Sequence, residues 1–584
     1  MKRSDAPWAE ALVRRRWFRL RLFALGAAAG VAAGLTVSLY RFLIVQAESC
    51  RAVLAAVTAD AAAGGQYLPA LAWAAGLLIL AFLLATLCRW EPMASGSGIP
   101  QVKGALLGLF RLRWLRILCV QIFGGALAIG AGLSLGHAGP AVEIGAASAQ
   151  GVSRAAARDR TETQYLLTGG AGAGLAAVFN APLTGMLFAL EELHHQFSAA
   201  VILPAMAAAV TAACTVQFFF GPGTVFLFSG LHPLPPSQLL WAVPLAMVCG
   251  AAAVLFNQGL LSVRRFYGLP CFRHPEARIA FALACAALAV FFCPALTGGG
   301  ESLINAVTAL PPAFPVLLTL LLGKALFTFL SFGSGVPGGF FFPSLTVGAL
   351  TGAAFGSLLT GAGLLPPEAM PDLILLAMAA FFAGSVRAPI TGAVLLLEMT
   401  GRFDHLLPLA LVTAISYVTS GLLECIILSV KEAYMDAQEV MHMTDYSKIT
   451  ALYSRLSVGD EDRDGGESNS IQNQKIFLEN YARGQHLTNI RHYIDDDESG
   501  RFFDRSAYSR MMDDVENGKI GVCIMKDLTR WGRDYLQVGN AMEIFRRNNV
   551  RFIAVNNGID SEKPDTLEFA PFINIMSEWY AKDI

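Results

Sequence analysis

Charge is scarce in the first 430 residues of this 584-residue chain, where almost every long segment is apolar and rich in Gly and Ala. That scarcity excludes a water-soluble globule for this stretch, because soluble cores do not contain so many long uncharged runs. The ten cysteines are scattered with no Cys-x-x-Cys pair, which argues against a disulfide framework and against a zinc site. No small-residue cleavage site follows the basic N-terminus, so that segment reads as retained and not as a removed signal peptide. Beyond residue 430 the material changes to dense charge, short amphipathic segments and abundant Asn, Asp and Glu. The overall 55% hydrophobic content and net charge of −1 therefore average a membrane body and a water-soluble tail.

A bilayer core about 30 Å thick needs roughly 20 apolar residues per spanning helix. Runs of that kind, or somewhat shorter, are Leu22–Ile44, Leu68–Leu87, Ile117–Leu133, Ala199–Phe220, Leu239–Leu260, Ile279–Leu296, Val316–Leu330, Leu373–Ala383 and Leu406–Ser429. Lys2, Arg3, Arg14, Arg15, Arg16, Arg19 and Arg21 precede the first run and place the N-terminus on the cytoplasmic side of the cell membrane. The reading is an all-α multi-pass membrane body over 22–430, after a basic cytoplasmic segment 1–21. A junction at 431–447 leads to a soluble cytoplasmic α/β domain at 448–584.

Glycine carries more information than the apolar runs do. Gly26, Gly30 and Gly34 recur every four residues and predict close helix packing. Three other clusters combine Gly with Pro inside apolar surroundings: Gly96-Ser97-Gly98-Ile99-Pro100, Gly136-His137-Ala138-Gly139-Pro140 and Gly338-Gly339-Phe340-Phe341-Phe342-Pro343. Pro suits the first turn of a helix, where its missing N–H costs nothing. A helix that starts inside the bilayer presents unpaired N–H groups and a partial positive charge of about half a unit. Such backbone is tolerated there only against a cavity or a ligand. Several of these starts converging make an anion site without a buried Lys or Arg.

These motifs, in this order and with Glu191-Glu192 following Asn180-Ala181-Pro182-Leu183, resemble the CLC family of chloride channels and proton-coupled anion exchangers over about residues 20–425. The resemblance implies two inverted-topology halves of tilted and broken helices, a homodimer in membrane lipid and one pore per subunit. It makes Ser97, with Gly98 and Ile99 beside it, the hydroxyl donor at a central anion site, although a helix-cap role for Ser97 is the bland alternative. The amides of Phe340 and Phe341 would complete that site, and those of Ala138 and Gly139 would face an outer one. Tyr434, three residues after Lys431, has the spacing of the family's pore tyrosine but arrives late after the preceding helix.

In the family's exchangers the position of Ala138 holds a glutamate that competes with chloride and carries the proton. Alanine binds no proton, so the resemblance implies passive chloride conduction, with proton-coupled antiport as the alternative. Glu192 matches the inner proton-handling glutamate, here a functional group, a relic or a structural acid. Glu143 is a candidate substitute acid. His137, with an ordinary pKa near 6.5, either makes conduction pH-sensitive or is packed neutral at the vestibule. Serine at 97 leans toward chloride through the resemblance alone. No cofactor or metal is implied.

The tail alternates β-rich runs (Ile449–Ser454, Thr488–Ile494, Val522–Lys526, Arg551–Val555) with helical patterns (Ser470–Arg483, Ser506–Asn517, Tyr535–Asn548). That alternation predicts a mostly parallel sheet covered by helices. A serine just past the first strand, Ser457, stands near Arg455, and further arginines occur at Arg505, Arg530 and Arg533. Guanidinium groups around a serine suit attack on a phosphodiester. The carboxylate run Asp495–Glu498 reads as a solvated loop. Together these features resemble the catalytic domain of large serine recombinases, which makes Ser457 the nucleophile and Gln472, Asp496 and Ser499 supporting residues. Thr529 departs from the aspartate of small resolvases. The family's DNA-binding domains are missing by position 584, so DNA is a partner only for the tail, as a recombinase expected to be inactive. The expected history is an in-frame junction between about 424 and 447, with Met441 or Met443 as the recombinase's own start.

Overall fold

The structure is a computed structural model. It describes residues 7–106, 112–156, 160–194, 198–226, 228, 230–232, 235, 239–272, 274–439, 448–455, 469–485, 487–495, 506–526, 544–545, 548, 550–557 and 559–561. The chain divides into two compact units, Met1–Ile427 and Leu428–Ile584.

The first unit is helical. Its helices are α1 (Pro7–Ala63), α2 (Leu68–Trp90), α3 (Ile99–Leu106), α4 (Trp114–Cys119), α5 (Gly125–Gly130), α6 (Ala138–Ala155), α7 (Arg160–Phe179), α8 (Pro182–Phe188) and α9 (Ala199–Phe220). They are followed by α10 (Ala242–Phe266), α11 (Pro275–Phe292), α12 (Glu301–Ala309), α13 (Phe314–Gly333), α14 (Phe341–Gly361), α15 (Met370–Val386), α16 (Pro389–Thr400) and α17 (Leu406–Glu439). Among the described residues nine helices are long and apolar enough to cross a membrane. The four-residue glycine spacing in α1 does what it predicts: a Cβ on Gly30 would stand 2.2 Å from the Ala208 carbonyl oxygen, so α1 and α9 touch backbone to backbone.

Two differences from the sequence reading have physical causes. The run Ile117–Leu133 lies largely in one apolar helix, Trp114–Gly130, which is shorter than a full span and carries a π-helical turn over Val120–Gly124 between α4 and α5. Conversely α14 spans by length yet is absent from the apolar runs, since Ser344, Thr346, Thr351 and Thr360 dilute its hydropathy. Those hydroxyls donate to carbonyls of their own helix, from Ser344 to Phe341 at 2.6 Å and from Thr351 to Val347 at 2.8 Å, which removes the cost of burying them.

The two halves of the body meet in a reciprocal cap. Asn180-Ala181-Pro182-Leu183-Thr184-Gly185 recurs as Arg387-Ala388-Pro389-Ile390-Thr391-Gly392, with Asn180 and Arg387 both left-handed at φ 54° and 68°. Glu191 accepts from the amides of Ile390 (3.1 Å) and Thr391 (2.7 Å) and from the Thr391 hydroxyl (2.7 Å) at the start of α16. Glu398 repeats the pattern at the start of α8, accepting from Leu183 N (3.0 Å), Thr184 N (2.7 Å) and the Thr184 hydroxyl (2.6 Å). Each segment thus closes the other's open N-terminus, which requires the pair to run antiparallel about a local twofold, as inverted repeats do.

The second unit carries strands β1 (Ile449–Arg455), β2 (Ile490–Asp495), β3 (Ile520–Met525), β4 (Arg551–Ala554) and β5 (Ile559–Asp560) in the order β2-β1-β3-β4-β5. Every pair is parallel except β4 with β5. Helices α18 (Asn469–Gly484) and α19 (Ser506–Glu516) cover opposite faces. Leu452 packs with Leu478 and Ala482 on one side, while Tyr453 packs with Tyr508 and Met511 on the other. Period-two alternation along β1 feeds both cores.

Candidate functional site

The three Gly/Pro clusters are three interrupted helix starts, and the fold laces them together. Gly96 and Gly98 are left-handed at φ 83° and 80°, which turns the chain into α3. The Gly96 amide donates to Val336 O at 3.2 Å, and Gly338 donates to Gly96 O at 3.0 Å. Gly136 and Gly339 exchange backbone hydrogen bonds of 2.6 and 2.9 Å. A Cβ on Gly139 would stand 2.3 Å from Ser97 O and 3.4 Å from Gly339 Cα, so only glycine lets the starts of α3, α6 and α14 come this close.

Helix starts leave amides with no partner inside the helix. Among the described residues the amides of Ala138, Gly139, Phe340 and Phe341 have no protein acceptor, and neither does the buried Ser97 hydroxyl. The cap role for Ser97 therefore has no hydrogen bond behind it. Donors without acceptors on helix starts packed this closely are the kind of arrangement an anion uses.

Ala138 is fully buried at the start of α6 and contributes only a methyl group. His137 packs its ring 4.9 Å from Phe342, and both line a cavity of about 510 Å³ whose wall also includes Arg41, Arg51, Glu48 and Glu301. The Gly298–Gly300 stretch of that wall is held by the buried Lys324, whose ammonium donates to Leu296 O (2.9 Å) and Gly298 O (2.7 Å). No sequence motif pointed to Lys324. A lone lysine inside an apolar run, needing carbonyls to satisfy it, was the available signal.

Glu143 is fully buried and accepts from the Gln121 amide, which also donates to Ala94 O at 3.1 Å. It lies against the Ser97 loop, where a Cβ on Gly98 would meet its side chain at 2.8 Å. Glu192 sits in the π-helical turn Ala189–His194 and pairs with Lys103 Nζ at 2.7 Å. Tyr434 falls within α17, and its side chain lies outside the described residues.

In the tail, Arg455 ends β1 with its side chain buried. The buried glutamine beside it is Gln474, whose amide donates to Arg455 O at 3.2 Å, while Gln472 is exposed on α18. Ser457, Asp496, Ser499, Arg505, Arg530 and Arg533 lie outside the described residues. The solvated-loop reading of Asp495–Glu498 is corrected at its first residue. Asp495 is buried at the end of β2 and accepts from Tyr453 OH (3.0 Å), Ala507 N (2.9 Å) and Tyr508 N (3.2 Å), capping α19.

Comparison with known proteins fits both units. A family model described as "Voltage gated chloride channel" matches residues 75–421, and one described as "Resolvase, N terminal domain" matches residues 450–584. The H(+)/Cl(-) exchange transporter ClcA of Vibrio cholerae serotype O1 (strain M66-2) is 36% identical over 373 residues, covering 62% of this chain and 78% of the relative. The transporter of the same name from Vibrio vulnificus (strain YJ016) is 38% identical over 351 residues, covering 58% of this chain and 74% of its own. The crystal structure of a slow cyanobacterial Cl-/H+ antiporter superposes with a TM-score of 0.64 at 27% identity, covering 69% of this chain and 95% of that one.

Proposed function

The chain belongs to the voltage gated chloride channel family, and from that premise we propose that its body conducts chloride passively, down the gradient. The observation that carries this reading is the convergence of three interrupted helix starts on a position occupied by Ala138. The unpartnered amides and the Ser97 hydroxyl supply an anion with donors, while the alanine methyl supplies no group that a proton can ride. Phe340 and Phe341 contribute amides from α14, and Gly98 and Ile99 set the turn that presents Ser97. The active form on this reading is a homodimer with one pathway per subunit, and both termini lie in the cytoplasm.

The test is chloride efflux from proteoliposomes with external pH recorded at the same time. Efflux without stoichiometric proton uptake supports the reading, and chloride-driven uphill proton movement ends it. Coupled exchange, the activity named for the relatives, would need Glu143 to stand in for the missing acid. In the structure one of its carboxyl oxygens accepts from Gln121, against the Ser97 loop, and the other is buried without a partner among the described residues. For the tail, the match to the resolvase model favours an ancestral strand-cleaving role with Ser457 as nucleophile and Arg455, Arg505, Arg530 and Arg533 around the phosphate. A covalent adduct with recombination-site DNA, lost in Ser457→Ala, is its test; no adduct with the parent protein leaves ancestry alone.

A further inference from the structure

We propose that the cavity lined by His137 and Phe342 binds a free amino acid in its zwitterionic form, and that the bound molecule covers one end of the chloride path. The covering role rests on the reading above, in which that path passes Ala138. At about 510 Å³ the cavity falls in the range of roughly 300–1,000 Å³ typical of small-molecule sites, far more than a single halide needs. Its charges are mixed: Arg41 and Arg51 line it together with Glu48 and Glu301, and the four formal charges cancel. An anion entering meets two carboxylates, and a cation meets two guanidiniums. A net-neutral molecule that carries both charges apart from one another is the electrostatic match.

Glu48 and Arg51 carry the case. They stand three residues apart on α1, where opposite charges ordinarily pair, yet no ion pair joins them among the described residues. Each lies against a different wall. A Cβ on Gly298 would stand 3.3 Å from Glu48 Oε1, and one on Gly132 would stand 3.2 Å from Arg51 Nη1. That Nη1 is buried without an acceptor among the described residues, a state native proteins seldom leave uncompensated. Arg41 is already engaged, donating to Ala177 O at 3.3 Å and lying over the Phe220 ring at 4.5 Å from its centroid. Arg51 is therefore the guanidinium that takes the ligand carboxylate, and Glu48 and Glu301 take the ammonium. Ile44, Ile129 and Phe342 give the cavity an apolar wall suited to an aliphatic side chain. A molecule lying on His137 and Phe342 covers the starts of α6 and α14, so it obstructs chloride without touching Ser97.

The experiment measures binding of radiolabelled L-leucine to the full chain in detergent, as parent, Arg51→Gln and Glu48→Gln. The expected result is saturable binding by the parent that weakens at least tenfold in each variant. Unlabelled 4-methylpentanoate, which lacks the ammonium, and 3-methylbutylamine, which lacks the carboxylate, should each compete at least tenfold more weakly than unlabelled leucine. No saturable binding by the parent overturns the proposal, as does undiminished binding in either variant or equal competition by either half-molecule. The competition arm uses the parent alone, so it decides the matter even where a variant folds poorly. In proteoliposomes, leucine on both faces should slow parent chloride efflux at least fivefold; leucine that binds and leaves efflux unchanged overturns the covering role. Chloride-driven proton pumping in the same vesicles sinks the passive reading and leaves leucine binding as it is, so the two failures are distinguishable.

Discussion

Replacing Gly139 by alanine probes the convergence of the helix starts more sharply than any change of charge. The added methyl carbon would lie 2.3 Å from the carbonyl oxygen of Ser97, whereas ordinary contact begins near 3.4 Å, a shortfall of about 1.1 Å. Both partners are backbone, so no rotamer relieves the clash, and the start of α6 has to move away from the Ser97 loop. Overpacking of this kind costs about 1–3 kcal/mol. If that whole cost falls on the arrangement that binds the anion, affinity drops by about 5- to 150-fold. The expected outcome for Gly139→Ala is a lower melting temperature in detergent and chloride efflux reduced at least about fivefold on the same scale. Gly76→Ala on α2, where a Cβ meets nothing within 4 Å, is the control and should match the parent. Parent-like efflux and melting in Gly139→Ala would refute the close approach of α3, α6 and α14.

Three further outcomes follow from the structure. Glu191→Ala and Glu398→Ala each strip three hydrogen bonds from a helix start, so each should destabilise the body by about 2–4 kcal/mol in thermal unfolding; losses under 0.5 kcal/mol, roughly the scatter of surface changes, would dismiss the reciprocal cap. In the tail, Asp495→Ala should lower the stability of the isolated α/β unit by about 2–4 kcal/mol, since it removes the carboxylate that accepts from Tyr453 OH and two amides of α19, and an unchanged denaturant midpoint would contradict it. Asp514 is held below its usual carboxylate range by hydrogen bonds from Lys519 and Tyr493. Its contribution is therefore full above the unfolded-state value of about 3.9 and is lost as pH falls through the lower folded value. Asp514→Asn should flatten the stability profile below about pH 4, and an unaltered acid limb would count against this assignment.

Much of the fold was legible because apolar length and Gly/Pro punctuation are local signals. The long runs named spans, the clusters at Ser97, Ala138 and Phe341 named broken helices, and short β-rich runs between helical patterns named β1 through β4. What escaped was tertiary. The second copy of the capping motif, Arg387 to Glu398, differs from the first at its opening residue, and its meaning appears only when two distant segments lie antiparallel. The Lys103–Glu192 pair joins residues 89 positions apart and has no sequence signature. Asp495 looked solvated because three carboxylates follow it, yet its own place at the end of a buried strand decides its environment. Helix α14 was hidden by hydroxyls that its own carbonyls satisfy.

On the passive reading, anions pass a position that carries no proton. The most direct test of that reading is the reversal potential of the purified chain in a planar bilayer under crossed chloride and pH gradients. The predicted potential follows the chloride gradient alone and does not move when the pH gradient is reversed. A potential that shifts with the pH gradient in fixed proportion would contradict it.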